Sequence, residues 1–141
     1  MRIRRFTPAD TESVVALWEA AGLTRPWNDP RKDIARKLTV QPELFLVGTA
    51  ADDAATPIAT VMAGFDGHRG WVNYLAVHPD HRRRGHAAAL MAEVERLLEA
   101  AGCPKANLQV RTDNAEALAF YAALGYTQDA AVSLGKRLIS D

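Results

Sequence analysis

From Ala87 to Ala101 the residues Ala87, Leu90, Met91, Val94, Leu97, Leu98 and Ala101 fall on one face of a helix without a miss. Just ahead of them, Trp71 to Val77 reads as a strand that His78-Pro79 brings to a stop. The chain is therefore committed to a strand, a tight turn and a long helix in direct succession. What fills the turn is unusual. A helix N-terminus carries unpaired N–H groups and about half a positive charge, so cations there cost ~0.3–1 kcal/mol each. The turn nevertheless stacks His81, Arg82, Arg83, Arg84 and His86 on that end. A bound polyanion would reverse the cost. Gly85 lets the backbone come close to such a ligand, and Ala87 keeps the first helical turn clear of bulk. The alternatives are a solvated basic turn or a patch for nucleic acid. The preceding strand, the stop at Pro79, the Gly85-x-Ala87 spacing and the clean helix favour the anion site.

The other segments supply partners for that unit. Arg2 to Phe6 alternates like a short strand, and Thr7-Pro8-Ala9-Asp10 sets an N-cap, a first-position proline and a capping acid. The helix that follows carries Val14, Val15, Leu17, Trp18 and Ala21 at helical spacing and closes at Gly22. After a loop from Thr24 to Asp29, Asp29-Pro30 repeats the start signal for a second helix running to about Thr39. Leu44 to Val47, Ile58 to Phe65 and Trp71 to Val77 form a three-stranded meander, with turns at Asp52-Asp53 and Asp66 to Gly70. Beyond the long helix, Gly102 ends it and Ala106 to Arg111 alternates as a strand. Asn114 opens a helix through Leu124, closed by Gly125. Two short strands, about Tyr126 to Gln128 and Val132 to Leu138, are expected to finish the chain. With no repeat or linker, residues 1–141 form one α/β layered domain with a mixed sheet.

Composition narrows the function classes. A 141-residue chain buries roughly 68–70% of its unfolded surface, enough for a core without disulfide or structural metal. With 17 Lys+Arg against 17 Asp+Glu, the surface as a whole is not built for nucleic acid, so any anion must meet a local patch. Cys103 is the only cysteine, which excludes an internal disulfide, a CxxC redox pair and a Cys-rich zinc site. His78, His81 and His86 lack a carboxylate at metal-ligand spacing, so no metal is expected. Without an apolar run of membrane length or a leader-like start, the expectation is a cytoplasmic protein with no membrane partner.

Arg82-x-x-Gly85-x-Ala87, preceded by Leu75-x-Val77-x-Pro79, resembles the [RQ]xxGx[GA] acetyl-CoA loop of the GNAT acetyltransferases. A second motif, Asn114, Ala117, Phe120, Tyr121, Leu124, Gly125 and Tyr126, reads NxxAxxFYxxLGY at the proper distance. The element order from Arg2 to Leu138 also fits, and the stretches LTRPWNDP, GFDGHRG and LGKRLI look like the bacterial YpeA-like subgroup. The resemblance implies an α/β (α+β) GNAT fold: a mostly antiparallel mixed sheet, flanked by four helices and splayed between strands ending near Val77 and Val110. It implies acetyl-CoA as cosubstrate, with the amides of Arg83, Arg84, Gly85, His86 and Ala87 on the pyrophosphate and Arg82 and Arg84 as charge partners. Leu75, Ala76 and Val77 would lie along the pantetheine arm. Asn114 would bond that arm or order its own loop, and Tyr121 would be the acid for the departing thiolate.

The general base is the open position. Trp71 and Gln109 stand where relatives that acetylate histones or ribosomal-protein N-termini carry a glutamate, and neither takes a proton. Asp66 and His68 on the hairpin turn are the remaining candidates, directly or through water held by Asn73 and the Tyr74 hydroxyl. Asp66-Gly67 is equally good turn chemistry. Arg25, Trp27 and Asn28, in the loop between the first two helices, are expected to wall the acceptor side, with Asn73 and Tyr74. The expected reaction is acetyl transfer to a primary amine, on a small molecule, an amino-acid derivative or a peptide, by a monomer or homodimer. A coenzyme-binding sensor that has lost turnover is the rival reading; nucleic-acid binding through the arginines is the weaker one.

Overall fold

The computed structural model describes residues 1–141. Five strands form one sheet in the order β1 (Arg2–Arg5), β2 (Phe45–Ala50), β3 (Asp53–Phe65), β4 (Gly70–Val77) and β5 (Ala106–Leu108). The first four pair antiparallel, and β5 joins β4 in parallel. Helices α1 (Thr11–Ala20) and α2 (Pro30–Lys37) cover one face; α3 (His86–Ala100) and α4 (Ala115–Ala123) cover the other.

Strand alternation builds both cores. Phe45, Val47, Met62 and Ala76 point at Val14, Val15, Leu17, Trp18 and Ile34, while Leu44, Leu46, Ala59, Val61, Ala63 and Val72 point at Leu90, Met91, Val94 and Leu98. β4 breaks its own alternation. Val72 belongs to the α3 face, yet Tyr74 stacks on Trp18 of α1 with ring centroids 3.7 Å apart, and Ala76 also lies on the α1 face. The cause is a bulge: pairing shifts between Thr60 and Met62, and Tyr74 takes a φ of 52°. Thr60 buttresses it, its hydroxyl donating to the Tyr74 carbonyl at 2.9 Å while accepting from the Trp18 indole N–H at 2.9 Å.

Several boundaries differ from expectation. A short 3₁₀ turn, Pro8–Asp10, precedes α1, with Asp10 accepting from the Thr7 amide at 2.9 Å. β2 and β3 extend to Ala50 and start at Asp53, through register shifts at Gly48/Thr49 and Thr49/Ala50. The strand expected over Ala106 to Arg111 ends at Leu108 because its neighbour pulls away. The two C-terminal strands, Tyr126 to Gln128 and Val132 to Leu138, do not form. With β5 only three residues long, the edge beside them offers too short a ladder to template a strand. Side chains tie that segment down instead: Lys105 pairs with Asp129 at 2.8 Å and the Gln109 amide donates to the Ser133 hydroxyl. At the end of the chain, the Asp141 carboxylate accepts from the Asp29 amide and from Arg36.

Candidate active site

β4 and β5 pair only over Gly70–Val72 and Ala106–Leu108. From Asn73 to Val77, β4 has β3 on one side and no strand on the other, so a wedge opens toward the turn that leads into α3. Leu75 and Val77 reach the apolar cluster that also takes in Leu108, Phe120 and Tyr121.

At the wedge's open end, a 3₁₀ turn Pro79–His81 is followed by Arg83 at φ 64° and Gly85 at φ 77°. Two left-handed residues so close together turn successive N–H groups the same way. The first helical bond of α3 runs from the Ala89 amide to the Gly85 carbonyl, and the amides from Arg82 to Ala88 donate to no protein acceptor. No side chain caps the helix, and none of the three arginines forms an ion pair with a carboxylate. His86 at its first position has a pKa below the ordinary histidine value, from burial and from the positive charges of the N-terminal amine, His81 and Arg84. An array of free amides ringed by uncompensated cations fits a diphosphate.

The second cluster lies where the bulge sits. Because Asn73 and Tyr74 are neighbours on it, both line a cavity of about 400 Å³ against α2, with Asp33, Arg36, Lys37, Val40 and Met62. The Asp33 carboxylate is fully engaged: one oxygen accepts from the Tyr74 hydroxyl at 2.6 Å and the Asn28 amide at 2.6 Å, the other from Arg36 at 2.8 Å. Burial, then the Asp33 hydrogen bond and charge, push the Tyr74 phenol well above its usual pKa, so it stays protonated. Arg36 extends from Asp33 to Asp141, whose carboxyl the Arg36 hydrogen bond holds at a pKa of about 2. These residues went unnoticed in the sequence. Asp33, Arg36 and Lys37 follow the spacing of a solvated helix face, and only the burial of Lys37 separates it from one.

The other expected site residues are spread more widely. Asn28 reaches the Asp33–Tyr74 pair, whereas Arg25 turns back to donate to the Gly22 and Thr24 carbonyls at 2.8 and 2.9 Å. Trp27, 57% exposed, lines a second cavity with Arg36 and the C-terminal residues Gly135 to Ile139. Asn114 accepts from the Ala117 amide at 3.0 Å and thereby caps α4. Tyr121 packs edge-on against Phe120 and Tyr126, its hydroxyl bonds to no protein group, and burial pushes its pKa to about 12. Asp66 and His68 are not brought to the wedge. They sit on the exposed hairpin before Gly70, at the closed end of the β4–β5 pair, where the Asp66 carboxylate accepts the His68 and Arg69 amides at 2.8 and 2.7 Å. Those bonds hold its pKa below the usual carboxylate range.

A layered α/β domain with a splayed sheet and a turn of free amides leading into its central helix is the architecture of a class of acyl-transfer domain. Residues 12–126 match the acetyltransferase (GNAT) family, and the chain belongs to that family of acyltransferases. An acetyltransferase of Yersinia pestis (strain Pestoides F) is 51% identical over 141 residues, covering 100% of this chain and 98% of the relative. Among solved structures, Ard1 from Thermoplasma volcanium superposes with a TM-score of 0.78 at 30% identity, covering 92% of this chain and 84% of that one. The NatC complex bound to Gag peptide and CoA gives 0.75 at 19% identity, with 87% and 82% covered, a likeness of fold.

Proposed function

We propose that the chain is an acetyl-CoA-dependent N-acetyltransferase acting on a primary amine by direct attack on the bound thioester. The observation that carries this reading is the run of unpaired amides from Arg82 to Ala88 at the mouth of the wedge. When bound there, acetyl-CoA supplies an activated acyl group; the acetyl passes to the amine nitrogen, the C–S bond breaks, and the proton lost by the amine goes to water, which returns one to the phenol that protonates the sulfur. The chain's own part is to hold and to orient. Arg82, Arg84 and the amides of Arg83 to Ala87 neutralise the diphosphate, while the free edge of β4 from Asn73 to Val77 pairs with the pantetheine amides in place of a strand. Leu75 and Val77 cover that arm. Tyr121, protonated because its pKa lies near 12, donates to the departing sulfur.

The acceptor enters past Asn28, Asn73 and Tyr74. Both Asp33 oxygens are already engaged, and Asp66 lies at the far end of β4, so the amine arrives in its neutral form and needs no side-chain base. Among fold neighbours, the NatC complex is one solved with a peptide and CoA, which supports an amine acceptor of that general kind.

The test is direct. Acetyl-CoA should raise the melting temperature of the wild type, by about 3 kcal/mol of linkage at a hundredfold excess over Kd, and Gly85→Asp should remove the shift. A panel of amines with thiol detection then separates an enzyme from a coenzyme sensor. No stabilisation of the wild type by acetyl-CoA would overturn the reading.

A further inference from the structure

Lys37 is the one charged side chain of the acceptor-side cavity that the fold leaves uncompensated. It is only 9% exposed, yet no carboxylate pairs with it; its ammonium donates to the Ala63 carbonyl at 2.5 Å. That one bond has a structural explanation. β2 begins at Phe45, opposite Met62, so the last residues of β3 have no strand on that side. Gln41 covers part of the bare edge by accepting from the Phe65 amide at 2.8 Å and donating to the Phe65 carbonyl at 3.0 Å. Lys37 covers the Ala63 carbonyl. Gln41 performs this edge service without charge, so the edge alone does not account for a buried cation at Lys37.

The remaining N–H groups of Lys37 belong to a side chain that lines the cavity with Asn73 and Tyr74. The surrounding charges leave it alone there. Asp33 and Asp141 both engage Arg36, and Glu43, whose charge acts on Lys37, is exposed and forms no ion pair with it. Burial accordingly lowers the Lys37 pKa. A monoanion would supply the missing partner.

We propose that Lys37 binds a carboxylate carried by the acceptor, so that the amines this enzyme acetylates are amino acids, or peptides and small molecules bearing an acid near the amine. The inference rests on the acetyltransferase reading above and deepens it. The cavity adjoins Asn73 and Tyr74, where the wedge begins, so an acid seated on Lys37 holds its own amine beside the thioester end of the arm.

A titration decides it without a known substrate. The protein is labelled with ¹³Cε-lysine, and the Lys37 resonance is followed while N-acetyl ω-amino acids of graded chain length, or their carboxamides, are added with and without coenzyme A. The expected result is a saturable shift with at least one acid and at least about tenfold weaker binding of its carboxamide, as loss of a charge-assisted bond requires. Lys37→Gln retains a donor for Ala63 and should weaken the acid about as much while leaving the acetyl-CoA thermal shift in place. Should that variant not fold, Val40→Glu, at a cavity position 60% exposed, supplies a competing carboxylate and should exclude the acid in the same way. Equal binding of acids and carboxamides, or acid binding that survives Lys37→Gln or Val40→Glu, would overturn the inference. A wild type that binds the acid but is not stabilised by acetyl-CoA would instead strike only the reading beneath it.

Discussion

Burial raises the pKa of Tyr74 and Tyr121, so both phenols stay protonated and can donate hydrogen bonds. Tyr74 donates a hydrogen bond to Asp33 at 2.6 Å and is spent on structure, while the Tyr121 hydroxyl has no protein partner. The expected consequence of Tyr121→Phe is therefore a kcat about 10²-fold lower with acetyl-CoA affinity within about twofold, read from thiol release and thermal shift. An unchanged kcat would remove Tyr121 from the chemistry. The unpaired arginines were legible from the sequence because they contradict the ordinary charge preference of a helix start, and the left-handed Gly85 because a glycine stands just before the helical period begins. Lys37 and Asp33 were not, because spacing alone does not distinguish a charged residue facing a cavity from one facing water. Asp66 and His68 stood out for being titratable, which said nothing about the end of the strand on which they lie.

At the scale of elements, the joint between β1 and α1 is an ionic one. Arg4 forms two bonds to Asp10, at 2.8 and 2.9 Å, and the Asp10 carboxylate is only 4% exposed. Burial raises the Asp10 pKa, but the hydrogen bonds from Arg4 and Thr7 and the Arg4 charge outweigh it and leave the group below its ordinary value. A depressed carboxyl pKa contributes stability that is complete above the unfolded value, about 4, and is lost as pH falls through the lower folded one. Asp10→Asn should thus flatten the acid side of the stability curve below about pH 4, measured by urea unfolding at several pH values. A variant with the wild-type pH dependence would refute this assignment. Elements with strong periodicity, α3 above all, could be read from sequence within a residue of their ends. β5 and the C-terminal segment could not, since a strand needs a partner edge and that edge depends on how far β4 and β5 diverge.

For the whole molecule, the sheet is two parts of unequal cohesion. β1 to β4 interlock through long antiparallel ladders, whereas β5 and α4 are attached through three paired residues and the apolar contacts of Leu108, Phe120, Tyr121 and Leu124. A ligand lying along β4 bridges the two. Amide hydrogen exchange in the free protein should consequently be faster in residues 106–126 than in residues 45–65, and acetyl-CoA should slow it in residues 106–126 by the factor that its binding adds to global stability. Exchange in residues 106–126 that acetyl-CoA leaves unchanged would argue that the wedge is not where the ligand binds.

The short run of pairing at Gly70–Val72 leaves the rest of that edge of β4 open to the proposed cosubstrate. If acetyl-CoA supplies the missing rung, the domain is held more firmly when that metabolite is abundant. Its resistance to limited proteolysis should then rise on addition of acetyl-CoA, separately from any control of its turnover.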